Sequence, residues 1–199
     1  MVGIIDYGVG NLFSLRSSFA AIGVEAFVSG DAGELKKADR LILPGVGAFG
    51  DAAEKLRASG LDAFVREQAA AGKPLMGICL GMQLLFERSY EYGDHEGLGL
   101  LKGQVVGMSG RLPEGLKIPH MGWNALKLTK SAKLLEEGSY VYFVHSFYAE
   151  NCEDSLAAVT DYGIPITAAV EKDNIFGCQF HPEKSGNVGL AILKRFCEV

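Results

Sequence analysis

The sequence predicts an α/β fold: a doubly wound, mostly parallel sheet flanked by helices, with an antiparallel extension. Three observations carry this. In the first half, short apolar runs alternate with segments whose apolar residues recur at spacings of three and four. Those runs are apolar almost throughout, as strands covered on both faces are. In the second half helical patterns nearly vanish and strand-like runs follow one another.

Taken in order, residues 2–5 read as a buried strand ended by Asp6 and Gly8. Leu12, Leu15, Phe19 and Ile22 mark a helix face, with Asn11 as N-cap and Gly23 as stop. Residues 24–28 and 40–43 read as strands, the second stopped by Pro44-Gly45. Helical patterns occupy 51–58 and 61–71, and Gly72-Lys73-Pro74 breaks the second. Residues 75–79 form another buried strand, and Met82, Leu85 and Phe86 begin a helix after it. Residues 98–108, 123–128, 140–149, 157–160, 166–170 and 175–179 are strand-like, and a helix over 189–197 closes the chain. No repeat or linker interrupts this order, so residues 1–199 are read as one domain.

Composition narrows the function classes. The chain has 199 residues, is 48% hydrophobic and 22% charged, and carries a formal net charge of −5. An acidic balance argues against nucleic acid or anionic membrane as a partner bound through charge. No apolar run approaches the ~20 residues of a membrane span, and residues 1–6 lack the basic region of a secretory signal. The four cysteines, Cys79, Cys152, Cys178 and Cys197, form no C-x-x-C pair, which fits reduced thiols in a cytoplasm. No metal or cofactor is expected.

Gly77-Ile78-Cys79-Leu80-Gly81 has the form G-x-C-x-G between a strand and a helix. This is the thiol counterpart of a nucleophile elbow, whose sharp turn tolerates only small neighbours. The turn lifts Cys79 clear of the strand end, the following helix start favours thiolate, and the Leu80 N–H is an oxyanion donor. The other three cysteines lack this setting and read as small buried hydrophobes.

His181-Pro182-Glu183 follows a strand-like run. Proline keeps the residue before it extended, so His181 and Glu183, two apart, project to one side. The imidazole then takes the thiol proton and the carboxylate orients it. His95, His120 and His145 remain open as alternative bases. Pro44-Gly45-Val46-Gly47 ends a strand with a glycine-bearing loop, a second side for an oxyanion hole at Gly45, Val46 and Gly47. A phosphate loop is the rival there, but G-x-x-x-x-G-K-[ST] is absent, and Gly8-Val9-Gly10 lacks the third glycine of a dinucleotide site.

In that order, oxyanion loop, cysteine elbow and His-x-Glu resemble the class I glutamine amidotransferases over essentially the whole chain, a flavodoxin-like architecture. Segments 6–12, 119–124, 144–148 and 180–185 are similar to those of the glutaminase subunits of imidazole glycerol phosphate synthase, from histidine biosynthesis. Phe147 stands where those proteins more often have tyrosine, and Cys178 is an unusual neighbour for the His-Pro-Glu run.

The resemblance implies a catalytic triad of Cys79, His181 and Glu183. It implies that Gln83 and Glu91 bind the amide and α-amino ends of glutamine and that backbone at Ser146 and Phe147 holds the carboxylate end. It implies a (β/α)₈ barrel cyclase as heterodimer partner, contacted by Asn11, Met121, Trp123, Asn124 and Lys184, and receiving ammonia shielded from water. Three other readings stay in view: the glutaminase of another synthase, a cysteine peptidase or redox protein of the same architecture, and a non-catalytic binding module.

Overall fold

The computed structural model describes Met1–Val199. In chain order the elements are β1 (Val2–Ile5), α1 (Leu12–Ala21), β2 (Ala26–Ser29), α2 (Ala32–Leu35), β3 (Arg40–Leu43), α3 (Phe49–Ala58), α4 (Leu61–Ala70), β4 (Leu75–Ile78) and α5 (Leu80–Leu84). There follow β5 (Arg88–Ser89), β6 (His95–Glu96), β7 (Gln104–Gly107), β8 (His120–Ala125), β9 (Lys127–Leu128), β10 (Tyr140–His145), β11 (Phe147–Glu150), β12 (Leu156–Asp161), β13 (Pro165–Lys172) and β14 (Ile175–Cys178). A 3₁₀ turn over Pro182–Lys184 and helix α6 (Gly186–Phe196) end the chain.

The main sheet runs β2-β1-β3-β4-β14-β13-β12-β9. β2, β1, β3, β4 and β14 are parallel, and β13, β12 and β9 extend the sheet antiparallel. This is the doubly wound, mostly parallel sheet with an antiparallel extension that the sequence predicts. Its strands alternate their side chains between two cores. Ile5, Leu41, Leu43 and Leu75 pack under α3 and α4, while Val2, Ile4, Ile42, Met76 and Phe176 pack under α1 and α6.

What positions the site is the insertion of the last strand. β14 pairs in parallel with β4, with Cys178 opposite Ile78. The carboxyl ends of β4 and β14, far apart in sequence, therefore emerge side by side, and Cys79 N–H donates to the Cys178 carbonyl at 2.8 Å.

The second half departs from expectation in instructive ways. The run 98–108 is extended only from Gln104 to Gly107, because Gly99 (φ 62) and Gly103 (φ 121) turn the chain ahead of it. The run 140–149 is two strands belonging to different sheets: β10 pairs with β8 in a two-stranded ribbon, and β11 pairs with β7 in the small sheet β11-β7-β5-β6. Ser146 is the single residue between them. The run 123–128 likewise divides, at Leu126, into the end of β8 and β9. The last helix begins at Gly186, earlier than expected, and α2 is an addition. Asn11 occupies the N-cap position of α1 without a side-chain cap bond. Helix α5 is a single short turn that ends at Leu84, before the expected Leu85 and Phe86.

Candidate active site

Cys79 leaves β4 in a left-handed conformation, φ 55 and ψ −114, which costs a non-glycine residue strain. Its neighbours explain how the turn fits. A Cβ at Gly81 would lie 1.9 Å from the Leu43 carbonyl oxygen, one at Gly77 would lie 2.6 Å from the Gly81 carbonyl oxygen, and one at Gly45 would lie 2.6 Å from the Gly81 nitrogen. The elbow is packed backbone on backbone against the end of β3, and only glycine permits that approach. The same packing brings the loop after β3 alongside the cysteine.

His181 is extended, φ −100 and ψ 99, as its proline predicts. Glu183, however, lies in the 3₁₀ turn and not in an extended segment. The turn delivers the carboxylate by another route: Glu183 Oε1 lies 2.8 Å from His181 Nδ1, with both side chains almost wholly buried. Glu183 Oε2 has no partner. The backbone of His181 is tied to the ribbon, its N–H donating to the Tyr142 carbonyl at 3.0 Å. Burial pulls the His181 pKa down, but the neighbouring Cys79 sulfur and Glu183 carboxylate outweigh it and push the pKa up to about 9.

The alternative bases lie elsewhere. His95 sits against Gly50 and Phe49. His145 reaches the cavity wall, but its Nδ1 donates to the Phe147 carbonyl at 2.8 Å, its Nε2 lies 3.0 Å from His120 Nδ1, and burial pushes its pKa down to about 3.

Cys79, His181 and His145 line one cavity of about 350 Å³, together with Val46, Gly47, Leu80, Gln83, Glu91, Ser146, Phe147 and Lys184. Gly45 lies buried just beneath the loop, against Leu80 and Gly81. Gln83 Nε2 donates to the Phe147 carbonyl at 3.1 Å and to Gln179 Oε1 at 2.9 Å. Glu91 Oε2 accepts from the Phe49 N–H at 2.6 Å, at the start of α3, and burial raises the Glu91 pKa. Three cavity neighbours escape sequence reasoning. Gln179 is fully buried and points Nε2 at the Cys79 sulfur, 3.8 Å away. Tyr92 (φ 53) lines the cavity and packs its ring edge-on to Phe147. Tyr7 donates its hydroxyl to the Pro44 carbonyl at 2.7 Å, and burial raises its phenol above the usual range. Tyr7 and Gln179 fall in segments named above, and Tyr92 in none.

A buried cysteine on a strand-end elbow, beside a buried histidine–glutamate pair at the end of the neighbouring strand, suits attack on a carbonyl with general-base help. A glutamine amidotransferase class-I sequence profile matches residues 3–199. The chain belongs to the class I glutamine amidotransferases. The amidotransferase is 52% identical over 204 residues to the imidazole glycerol phosphate synthase subunit HisH of Wolinella succinogenes, covering 100% of both chains. It is 53% identical over 203 residues to the same subunit of Caldanaerobacter subterraneus subsp. tengcongensis (100% of this chain, 98% of that one). Against that of Bacillus subtilis the identity is 50% over 204 residues (100% and 96%). Among solved structures, a glutamine amidotransferase superposes with a TM-score of 0.78 at 20% identity, over 99% of this chain and 97% of that one. The structure of PurLQS from Thermotoga maritima gives 0.75 at 21%, over 99% and 97%. At these identities the structures speak for the fold, and the HisH sequences for the branch of the family.

The residues expected to face a partner differ in their exposure. Met121 and Trp123 project from β8, 60% and 52% exposed, with exposed Tyr140 across the ribbon on β10. Asn11 is half-buried before α1, and Lys184 is exposed at the cavity rim. Asn124 points inward instead: its Oδ1 meets His120 Nε2 at 2.9 Å and its Nδ2 donates to the Asp161 carbonyl at 3.2 Å. No helix is long and apolar enough to cross a membrane.

Proposed function

We propose that residues 1–199 act as one glutamine amidotransferase domain, the cytoplasmic glutaminase subunit of imidazole glycerol phosphate synthase. The observation that carries the reading is the buried His181–Glu183 pair on the same cavity as Cys79, at paired strand ends, in a chain about half identical to HisH throughout. The Cys79 sulfur attacks the side-chain amide carbon of glutamine, and His181 takes the thiol proton. Glu183 holds His181 in the right tautomer. The Leu80 and Val46 N–H groups receive the oxyanion, with Gly45 and Gly47 setting the loop. The intermediate collapses, the C–N bond breaks, and His181 returns the proton to the departing ammonia. Water then cleaves the thioester to glutamate, regenerating the thiol.

Glutamine fills the cavity with its amide end at Gln83, its α-amino end at Glu91 and its carboxylate at the Ser146 and Phe147 backbone. Ammonia in water becomes ammonium and loses its nucleophilicity, so a docked acceptor is a chemical need. The reading takes that partner to be a (β/α)₈ barrel cyclase covering Asn11, Met121, Trp123 and Lys184, with Asn124 bonded inward behind them. The cyclase converts its ribonucleotide ligand and ammonia to imidazole glycerol phosphate and aminoimidazole carboxamide ribotide. The test is glutamate release from glutamine with and without cyclase and ribonucleotide, with Cys79→Ala as blank. Stimulation by the cyclase that the blank abolishes supports both parts. Release indifferent to the cyclase assigns the glutaminase to another synthase, and no release in either condition overturns the glutaminase itself.

A further inference from the structure

Behind the cavity wall, two buried histidines that the proposed chemistry leaves idle form the middle of a hydrogen-bond chain. It runs from the Phe147 carbonyl to His145 Nδ1 (2.8 Å), from His145 Nε2 to His120 Nδ1 (3.0 Å), from His120 Nε2 to Asn124 Oδ1 (2.9 Å), and from Asn124 Nδ2 to the Asp161 carbonyl (3.2 Å). Both ends are backbone carbonyls, which only accept. Counting protons inward fixes every member. His145 Nδ1 must carry a hydrogen for Phe147. Asn124 must turn Nδ2 to Asp161 and Oδ1 to His120, so His120 Nε2 must also carry one. Between the two rings one further hydrogen is required. Two neutral imidazoles own two hydrogens, and the chain needs three.

The third hydrogen makes one imidazole a cation, and the surroundings place it on His120. Its ring lies between Phe143 and Tyr162, stacked at centroid distances of 4.8 and 4.1 Å, and a cation is attracted to such faces. His145 lies on the side of the base, His181, whose positive charge disfavours a second cation there. The other polar groups at hand are committed: the Tyr162 hydroxyl donates to the Lys117 carbonyl at 2.8 Å and Asp161 Oδ1 accepts from Gly163 N–H at 2.9 Å. Burial without a facing carboxylate weakens the cation, so the proton is one that the pair gives up as pH rises.

We propose that His120 is a positioning residue of the site whose proton decides whether every link of the chain holds at once. As an imidazolium it ties Asp161 and Phe147, in the cavity wall, into one unbroken chain. Neutral, the chain is one hydrogen short and one link opens: the Asn124 amide turns over and releases Asp161, or the His145 hydrogen moves to Nε2 and releases Phe147, or the two rings part. The second matters because the Phe147 carbonyl also receives Gln83. On the reading of the cavity as a glutamine site, loss of this proton loosens the wall that holds the substrate, so KM rises while kcat moves less.

The experiment is a pH titration of the full chain labelled with ¹⁵N-histidine and ¹³C at the Phe147 carbonyl. The expected result is His120 with both ring nitrogens protonated at the acid end, losing one proton as pH rises, with the Asn124 side-chain amide and the Phe147 carbonyl shifting on the same curve. Asn124→Asp, whose carboxylate faces the cation, moves that curve up by about one pH unit or more. A His120 that stays a single neutral tautomer throughout, an unmoved Phe147 carbonyl, or a curve indifferent to Asn124→Asp each overturns the proposal. If Asn124→Asp fails to fold, the wild-type titration decides alone. Because these readouts need no turnover, a chain that released no glutamate would sink the glutaminase reading and leave this test intact.

Discussion

Gln179 joins the cysteine to the cavity wall: its Nε2 points at the Cys79 sulfur, 3.8 Å away, while its Oε1 accepts from Gln83 Nε2 at 2.9 Å. Gln179→Ala removes both contacts from a fully buried position and leaves Gln83 half satisfied. Losing a buried hydrogen bond costs about 1–3 kcal/mol, so kcat/KM for glutamine should fall about ten- to a hundredfold. Steady-state glutamate release checks this. An unchanged kcat/KM would show that Gln179 only fills space.

The two glycine classes at the site separate by experiment. Gly81→Ala drives a Cβ into the Leu43 carbonyl, so the elbow cannot close as it stands. A loss of several kcal/mol, or no folded protein, is expected. Gly47 has φ +92 but open space around it, so Gly47→Ala costs about 1–2 kcal/mol of backbone strain and still folds. Urea denaturation of the two variants ranks them, and Gly47→Ala should lose glutaminase activity well beyond its stability cost.

Glu91 has a structural bond as well as a place in the cavity. Glu91→Ala uncovers the Phe49 N–H at the start of α3, costing about 1 kcal/mol of stability, whereas Glu91→Gln keeps an acceptor there. Both variants should raise KM for glutamine, since both lose the charge. Thermal melts and glutamate release on the same samples resolve the two effects.

The raised pKa of His181 has a consequence for stability. Its folded value, about 9, lies above the ordinary histidine value, so folding favours the protonated form. That contribution, on the order of 3 kcal/mol, is fully present below about pH 6.5 and is lost as pH rises through about 9. Glu183→Gln removes one of the two groups that raise it. The variant should be less stable than the parent in mild acid and nearly equal to it above about pH 9, by urea denaturation across the range.

Trp123 is half exposed on the ribbon. Trp123→Ala should leave the isolated chain within about 0.5 kcal/mol of the parent and weaken cyclase binding by about 2 kcal/mol or more, a change of about thirtyfold in Kd. Titration calorimetry with the purified barrel measures it.

Much of this arrangement is legible in the sequence where one local rule dominates. Buried parallel strands such as β1, β3 and β4 are continuous apolar runs, and the glycines around Cys79 announce a backbone-on-backbone turn. His181 and Glu183 meet not through an extended strand but through a 3₁₀ turn, set by packing under α6, where Gly189 rests against the Pro182 carbonyl. Helix α2 carried a readable cap, Asp31 accepting from Glu34 N–H at 2.7 Å, but its four residues are too few for periodicity to register. Other features arise only in three dimensions. The change of sheet at Ser146 depends on two different partner strands, and Gln179 gains its setting from β14 lying beside β4. Asn124 is a surface residue by its neighbours and an interior one by its bonds.

The backbone bond from His181 N–H to the Tyr142 carbonyl, matched by Tyr142 N–H to Ser185 Oγ at 3.0 Å, stitches the segment bearing the base onto the strand that presents Tyr140. The two therefore form one opening unit in amide exchange: the His181 amide is released to solvent only when β10 comes away. A macromolecule clamped over the ribbon would then slow the exchange of an amide it never touches.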